Sequence, residues 1–137
     1  MRDRTGASGS RTRGSRSGLS GFVGGFGHAL RGIGHVLASQ RNARVQVAVG
    51  VVVLGAAALF RVSSVEWALL LLVMGMVLAL EAMNTALEAA VDLVTDEYRE
   101  QARVAKDSAA GAVLLAALSS IAVGIVVFGP RIWAWFG

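Results

Sequence analysis

Four side chains able to bind cations or move protons are set into an otherwise apolar run, WALLLLVMGMVLALEAMNTALEAAVDLV: Glu81, Asn84, Glu88 and Asp92. With about 100° of rotation per helical residue, they fall on one side of a helix as a polar stripe. Carboxylates offer oxygen ligands to a divalent cation, and a carboxylate beside a hydroxyl can take its proton. An acidic side chain at the centre of a lipid-facing helix costs about 2.5–3.5 kcal/mol on insertion scales. The stripe therefore needs a protein interior, a cation or a water-filled site to face, which makes it a candidate functional site.

The chemistry these groups suit is phosphoryl transfer. That reaction has a loose transition state and is catalysed mainly by positioning and charge neutralisation. It needs a divalent cation on oxygen ligands, a positive group near the phosphates and a base for the incoming hydroxyl. Glu88 and Asp92 can supply the oxygens, and Glu81 the base. Lys106, followed at once by Asp107, can supply the positive charge, with Arg99 and Arg103 close in sequence. Other readings stand beside this one. Glu81, Asn84 and Glu88 can simply hydrogen-bond across a helix bundle, and carboxylates in a membrane can form a proton relay in a transport subunit. Lys106–Asp107 can be a charge pair at a helix end, and the DEYRE cluster a solvated loop.

The elements that position the stripe follow from the chain around it. Residues 1–20 are Gly, Ser, Thr and Arg with almost nothing apolar, a composition expected to be a disordered tail because it buries too little to offset its ordering entropy. No apolar stretch sits close behind the basic start, so a cleaved secretory signal is not expected. Phe22 to Gln40 places Phe22, Val23, Phe26, Leu30, Ile33, Val36 and Leu37 at recurring spacings of three and four. That pattern predicts a short amphipathic helix lying on the membrane surface, although its glycines oppose helix by about 1 kcal/mol each. GFG and GIG do not complete a dinucleotide fingerprint. His28 and His35 are seven apart and could share a face as a metal pair, but packed or interfacial histidines are the plainer reading.

Three spans are expected, at about 45–64, 65–94 and 108–128, the last stopped by Gly129-Pro130. The domain reading is thus a tail over 1–20 and a membrane domain over 21–137. A hydrophobic fraction of 55% supports a membrane chain. The absence of cysteine removes disulfide and thiol chemistry. Eleven of the thirteen Lys and Arg precede Val45 or lie between the second and third spans, so both regions are expected in the cytoplasm. Trp67, Trp133 and Trp135 then share the outer interface. Anionic lipid headgroups, rather than nucleic acid, are the expected partner of the arginines. If Trp67 marks the outer boundary, Glu81 lies about 21 Å and Glu88 about 31 Å further along the helix. Glu81 can then meet a lipid hydroxyl while Glu88 and Asp92 meet a soluble ligand.

From Glu81 to Val113 the chain reads ExxNTALEAAVDLVxDEYxxxAxxAKDxAAGAV. This run closely resembles the signature of the prokaryotic diacylglycerol kinase family, which includes undecaprenol kinases. RNARVQ (Arg41 to Gln46) and the three spans extend the likeness from about Gly21 to the C-terminus. The resemblance implies an all-α integral membrane protein with three transmembrane helices, preceded by an amphipathic interfacial helix and assembled as a homotrimer. It implies a bacterial inner-membrane enzyme that transfers the γ-phosphate of ATP, with Mg2+, to a lipid alcohol. NTALE, DLV and AAGAV look nearer the undecaprenol kinases, with diacylglycerol as the alternative acceptor. By resemblance Glu81 is the catalytic base, Glu88 a metal and nucleotide ligand, and Asn84 and Asp92 their support. Lys106 and Asp107 lie near the phosphates, and Glu97, Tyr98 and Arg99 lie against the nucleotide. Three positions depart from the family pattern. A Glu that helps hold metal and nucleotide falls on Gln40, which keeps a carbonyl oxygen and loses the charge. Arg99 stands where relatives often have His. An aromatic position beside the nucleotide corresponds to His28.

Overall fold

The computed structural model describes residues 18–94, 97 and 99–136; the expected tail over 1–20 falls mostly outside them. The described elements are four helices, α1 (Gly18–Ser39), α2 (Arg41–Leu59), α3 (Ser64–Val94) and α4 (Glu100–Phe136). The chain divides into two units, Met1–Arg31 and Gly32–Gly137, and α1 contributes to both.

In the first unit, α1 begins at Gly18, inside the stretch expected to be tail. Its Val23, Phe26 and Leu30 are exposed. Arg31 Nη2 lies 2.8 Å from Nδ1 of His28. A guanidinium only donates, so the imidazole accepts at that nitrogen.

In the second unit, α2, α3 and α4 are each long and apolar enough to cross a membrane. Their outward faces carry exposed Val52, Leu72, Ile125 and Val126, side chains that lipid rather than water would accept. Helix α3, with 31 residues, is about 46 Å long, well beyond a hydrocarbon core of about 30 Å. It packs along α4 and, over a shorter stretch, against α2.

The first span ends earlier than the sequence suggests. Helix α2 stops at Leu59, where Phe60 N–H donates to Ala56 O, Arg61 N–H to Ala58 O and Val62 N–H to Ala57 O. These bonds satisfy the last carbonyls while Arg61, at φ 50°, turns the chain in the left-handed region. Ser63 and Glu66 then cap α3 reciprocally. Glu66 N–H donates to Ser63 Oγ at 3.3 Å, and Ser63 N–H donates to Glu66 Oε2 at 2.7 Å. So residues 60–63 form a four-residue turn, followed by a capped helix start.

The last span runs longer than expected. Helix α4 continues through Pro130 to Phe136 instead of stopping at Gly129-Pro130. Gly129 has no Cβ, which removes part of the clash with the proline ring that usually ends a helix there. The turn around Pro130 is also tied down, since Arg131 Nη1 donates back to the Val127 carbonyl.

Arg131 also forms a bidentate pair with Glu66, both contacts at 2.8 Å, joining the start of α3 to the end of α4. Beside it sits the core, in which Ala57, Val62, Leu70 and Val127 are buried and Phe60 and Trp67 pack against them. Phe60 contacts Phe128 and Trp135, each at a centroid distance of 6.1 Å. Trp67 is thus half-buried against the core, while Trp133 and Trp135 remain largely exposed. The best-packed end of the bundle is the end remote from Glu88 and Asp92.

Candidate active site

The polar stripe lies on the second half of α3, and burial falls steadily along it. Glu81 is 2% exposed. Asn84 and Glu88 are half-buried, and the Asp92 side chain is 61% exposed. The register of α3 on α4 can be read from two ion pairs, Glu66–Arg131 and Asp92–Lys106. It brings Ala116 level with Glu81. The approach of Gly50 to Met74 sets the register of α2 on α3 and brings Ala43 to the same level. Both alanines are buried. Small side chains on two neighbours let the helices close around the carboxylate.

Glu81 is the one buried charged side chain among the described residues. Its backbone carbonyl accepts from the Thr85 hydroxyl at 2.9 Å. One turn on, Asn84 Nδ2 donates to Glu88 Oε1 at 2.9 Å. This bond orients the Glu88 carboxylate and turns the Asn84 carbonyl oxygen away, where it is buried with no partner. A buried acceptor without a donor is rare enough in a folded protein to call for a water, an ion or a ligand.

Farther down, Lys106 crosses from α4 to donate to Asp92 Oδ1 at 2.5 Å. Asp107, its neighbour in sequence, is held instead by Arg103 at 2.7 Å. Arg103 also grips Glu100 through two nitrogens, at 2.5 and 3.1 Å. Glu97 and Arg99 form a pair at 3.5 Å in the segment between α3 and α4. The structure therefore brings together Asn84 with Glu88, Asp92 with Lys106, Arg103 with Asp107, and Glu97 with Arg99.

Two expected members take no part in these contacts. Gln40 occupies the break between α1 and α2, with φ −97° and ψ 118°, and its side chain forms no cap on α2. Among the described residues no hydrogen bond joins it to Glu88. His28 lies in the first unit, engaged with Arg31. The member that sequence reasoning left at the margin is Arg103. Its Glu100 and Asp107 partners are three residues before it and four after, the spacing of neighbours on a helix. Starting α4 at Glu100 would have revealed both contacts.

The donor set is all oxygen: the Glu88 carboxylate and the unpartnered Asn84 carbonyl on one helix face. Among the described residues no group of three or more acidic or histidine side chains is gathered for a metal ion. One or two carboxylates completed by phosphate oxygens is the usual way a protein holds Mg2+, and the residues present fit that mode. The cations Lys106, Arg99 and Arg103 surround the same exposed end.

Residues 27–128 match the family model described as prokaryotic diacylglycerol kinase. The chain is 38% identical over 117 residues to the undecaprenol kinase of Bacillus subtilis, an alignment covering 85% of this chain and 95% of that protein. It is 46% identical over 100 residues to the diacylglycerol kinase of a Synechocystis species, covering 72% of this chain and 57% of the relative. Likeness to the diacylglycerol kinase of Escherichia coli is 37% over 62 residues, 45% of this chain and 48% of that one. The chain therefore spans nearly all of one curated relative and about half of the other two. Over its three membrane-length helices and the stripe they carry, the chain belongs to the prokaryotic diacylglycerol kinase family, a family of lipid kinases.

Proposed function

We propose that the chain transfers the γ-phosphate of ATP to the hydroxyl of a lipid alcohol in the bacterial inner membrane. The observation that carries this reading is the burial gradient along α3, from enclosed Glu81 to Asp92 beside Lys106. A membrane-embedded hydroxyl and a soluble nucleotide can approach such a stripe from opposite ends. Glu81 takes the proton of the hydroxyl as its oxygen attacks the γ-phosphorus, and the bond from that phosphorus to the bridging oxygen of ADP breaks. Glu88 holds the nucleotide end, with Asn84 orienting its carboxylate and Asp92 steadying Lys106. Lys106 and Arg99 draw in the phosphates. Asp107 is steadied by Arg103, and Glu97 and His28 are proposed as nucleotide neighbours on the family resemblance alone.

Glu88, the Asn84 carbonyl oxygen and the Gln40 side chain would hold Mg2+, which when bound neutralises phosphate charge. Undecaprenol is the favoured acceptor, supported by the near full-length match to an undecaprenol kinase. Diacylglycerol is the second reading, supported by the higher identity to a diacylglycerol kinase over a shorter stretch.

The proposed assembly is a homotrimer with α1 lying on the cytoplasmic surface and the N-terminus in the cytoplasm. The exposed apolar side chains of Val23, Phe26, Leu30 and Ile33, spaced by threes and fours, support the first placement. The arginine distribution supports the second. Residues 1–20 are proposed as a tail and the rest as one kinase domain.

The test is phosphate transfer from labelled ATP by purified protein in mixed micelles, with undecaprenol and diacylglycerol offered in parallel. Chelation of divalent metal should stop the reaction, and the better acceptor identifies the branch. Labelling of neither lipid by folded protein supplied with Mg2+ refutes the reading.

A further inference from the structure

Of the thirteen basic residues in the chain, twelve are arginines and one is a lysine, Lys106. The arginines at the two ends of the α3–α4 pair are each held by several bonds. Arg131 grips Glu66 through two nitrogens and also donates to the Val127 carbonyl. Arg103 takes Glu100 through two nitrogens and Asp107 through the third. A planar guanidinium with fixed donors makes such clamps. Lys106 is tied differently. Its Nζ meets a single oxygen, Asp92 Oδ1 at 2.5 Å, and it has no other partner among the described residues. That contact spans two helices and 14 residues of sequence, and both side chains are open to solvent. An ammonium on a flexible four-carbon stem is a point charge with three rotatable donors. It can pass from one anion to another with little change elsewhere, since an exposed ion pair is weak.

We propose that Asp92 parks Lys106: it holds the ammonium at the exposed end of the α3–α4 pair and yields it to a polyphosphate. The proposal rests on the reading of this end as the nucleotide site. Asp92 is then a positioning residue, acting through Lys106. Handover, rather than sharing, follows from charge. A carboxylate and a phosphate chain that touch one ammonium repel each other at short range, and the polyphosphate, with several charges, displaces the carboxylate with one. Parking also gives selectivity. A singly charged headgroup, abundant at a membrane surface, offers the ammonium no more than Asp92 already does, so it gains little by binding there. Only a multiply charged anion takes Lys106 away.

The experiment is NMR of the full chain in detergent micelles, with lysine labelled by 13C at Cε. Lys106 is the only lysine, so it gives one side-chain signal. Inorganic tripolyphosphate is titrated in the absence of divalent metal. It should move the parent signal, and Asp92→Asn should move that signal without any anion. Once tripolyphosphate saturates, the parent and Asp92→Asn signals should draw together, because in both the ammonium is then on phosphate. Asp92→Asn should also bind tripolyphosphate about two- to fivefold more tightly, with no carboxylate competing. A parent signal that tripolyphosphate leaves in place would overturn the proposal. So would one that moves yet stays as far from the Asp92→Asn signal as before, since the ammonium would have kept its carboxylate. An equal shift on adding phosphatidylglycerol to the micelles would overturn it too, by making this end a site for any anionic headgroup. The measurement needs no turnover. Handover in protein that labels neither lipid would uphold the proposal and refute the kinase reading. Lipid labelling with an unmoved Lys106 signal would overturn the handover and leave the kinase reading standing.

Discussion

Replacing Lys106 by Met separates a role in the reaction from a role in the fold. The Lys106 and Asp92 side chains are 39% and 61% exposed. A pair that open to solvent contributes about 0–1 kcal/mol to stability, because water and salt screen the charges and two long side chains lose freedom. Methionine keeps most of the aliphatic stem, so packing on α3 changes little. The thermal midpoint of Lys106→Met should therefore stay close to that of the parent. Its phosphate-transfer rate should not. A fixed positive charge aimed at transferring phosphate is worth about 10²–10³ in rate, or about 2.7–4 kcal/mol at 1.36 kcal/mol per decade. The assay is initial-rate transfer of labelled phosphate into lipid at saturating lipid and varied ATP, beside thermal unfolding of the same preparation. Asp92→Asn, which frees Lys106 without removing it, should cost much less in rate. Were Lys106→Met to keep more than about a third of the parent rate, or to lose rate only as it lost stability, Lys106 would be a helix clamp and the phosphates would lie elsewhere.

Glu81→Gln keeps size and hydrogen-bonding capacity but cannot accept the proton at a useful rate. It should lower transfer by about 10²–10⁴ while detergent-solubilised protein elutes and melts as the parent does; loss of assembly with the activity would instead mark Glu81 as a packing group. Leu70→Ala empties a site that is 2% exposed in the core and should cost about 2–4 kcal/mol in unfolding experiments with little change in KM for ATP; a neutral effect would mean the core is not packed as described. Deletion of the first 17 residues removes five arginines and should weaken binding to anionic vesicles at low ionic strength, the difference fading as salt is raised. Equal binding by the two forms would remove any role for the tail in lipid attraction.

Much of the candidate site is legible in the chain because membranes make polar groups conspicuous. Glu81, Asn84, Glu88 and Asp92 stand out against apolar neighbours, and helical geometry alone puts them on one side. What the sequence does not carry is which partner each takes. Lys106 and Asp107 are adjacent in sequence, yet successive helical residues point about 100° apart, so one reaches across to Asp92 and the other back to Arg103. Glu66 and Arg131 are 65 residues apart, and no local pattern announces a contact at that distance. Pro130 misleads because Gly-Pro is an ordinary signal of a helix end, whereas the glycine also removes the Cβ part of the clash with the ring. Gln40 shows a different limit. Its family position concerns a ligand, whereas its backbone conformation is fixed by the break between α1 and α2.

The two ion pairs at opposite ends of α3 and α4 bear on how the protein is made. Joined at both ends, and packed along their length, these helices form a hairpin that can settle in the bilayer as a pair. Helix α2 leaves the ribosome before either partner exists, so its shallower packing on α3 can form only after α3 has followed. During that interval it must reside alone in lipid. Its sequence suits that wait, with no charged residue between Arg44 and Arg61. The buried carboxylate thus lies on the hairpin, where α4 can shield it once inserted, and the first span between Arg44 and Arg61 carries no charge.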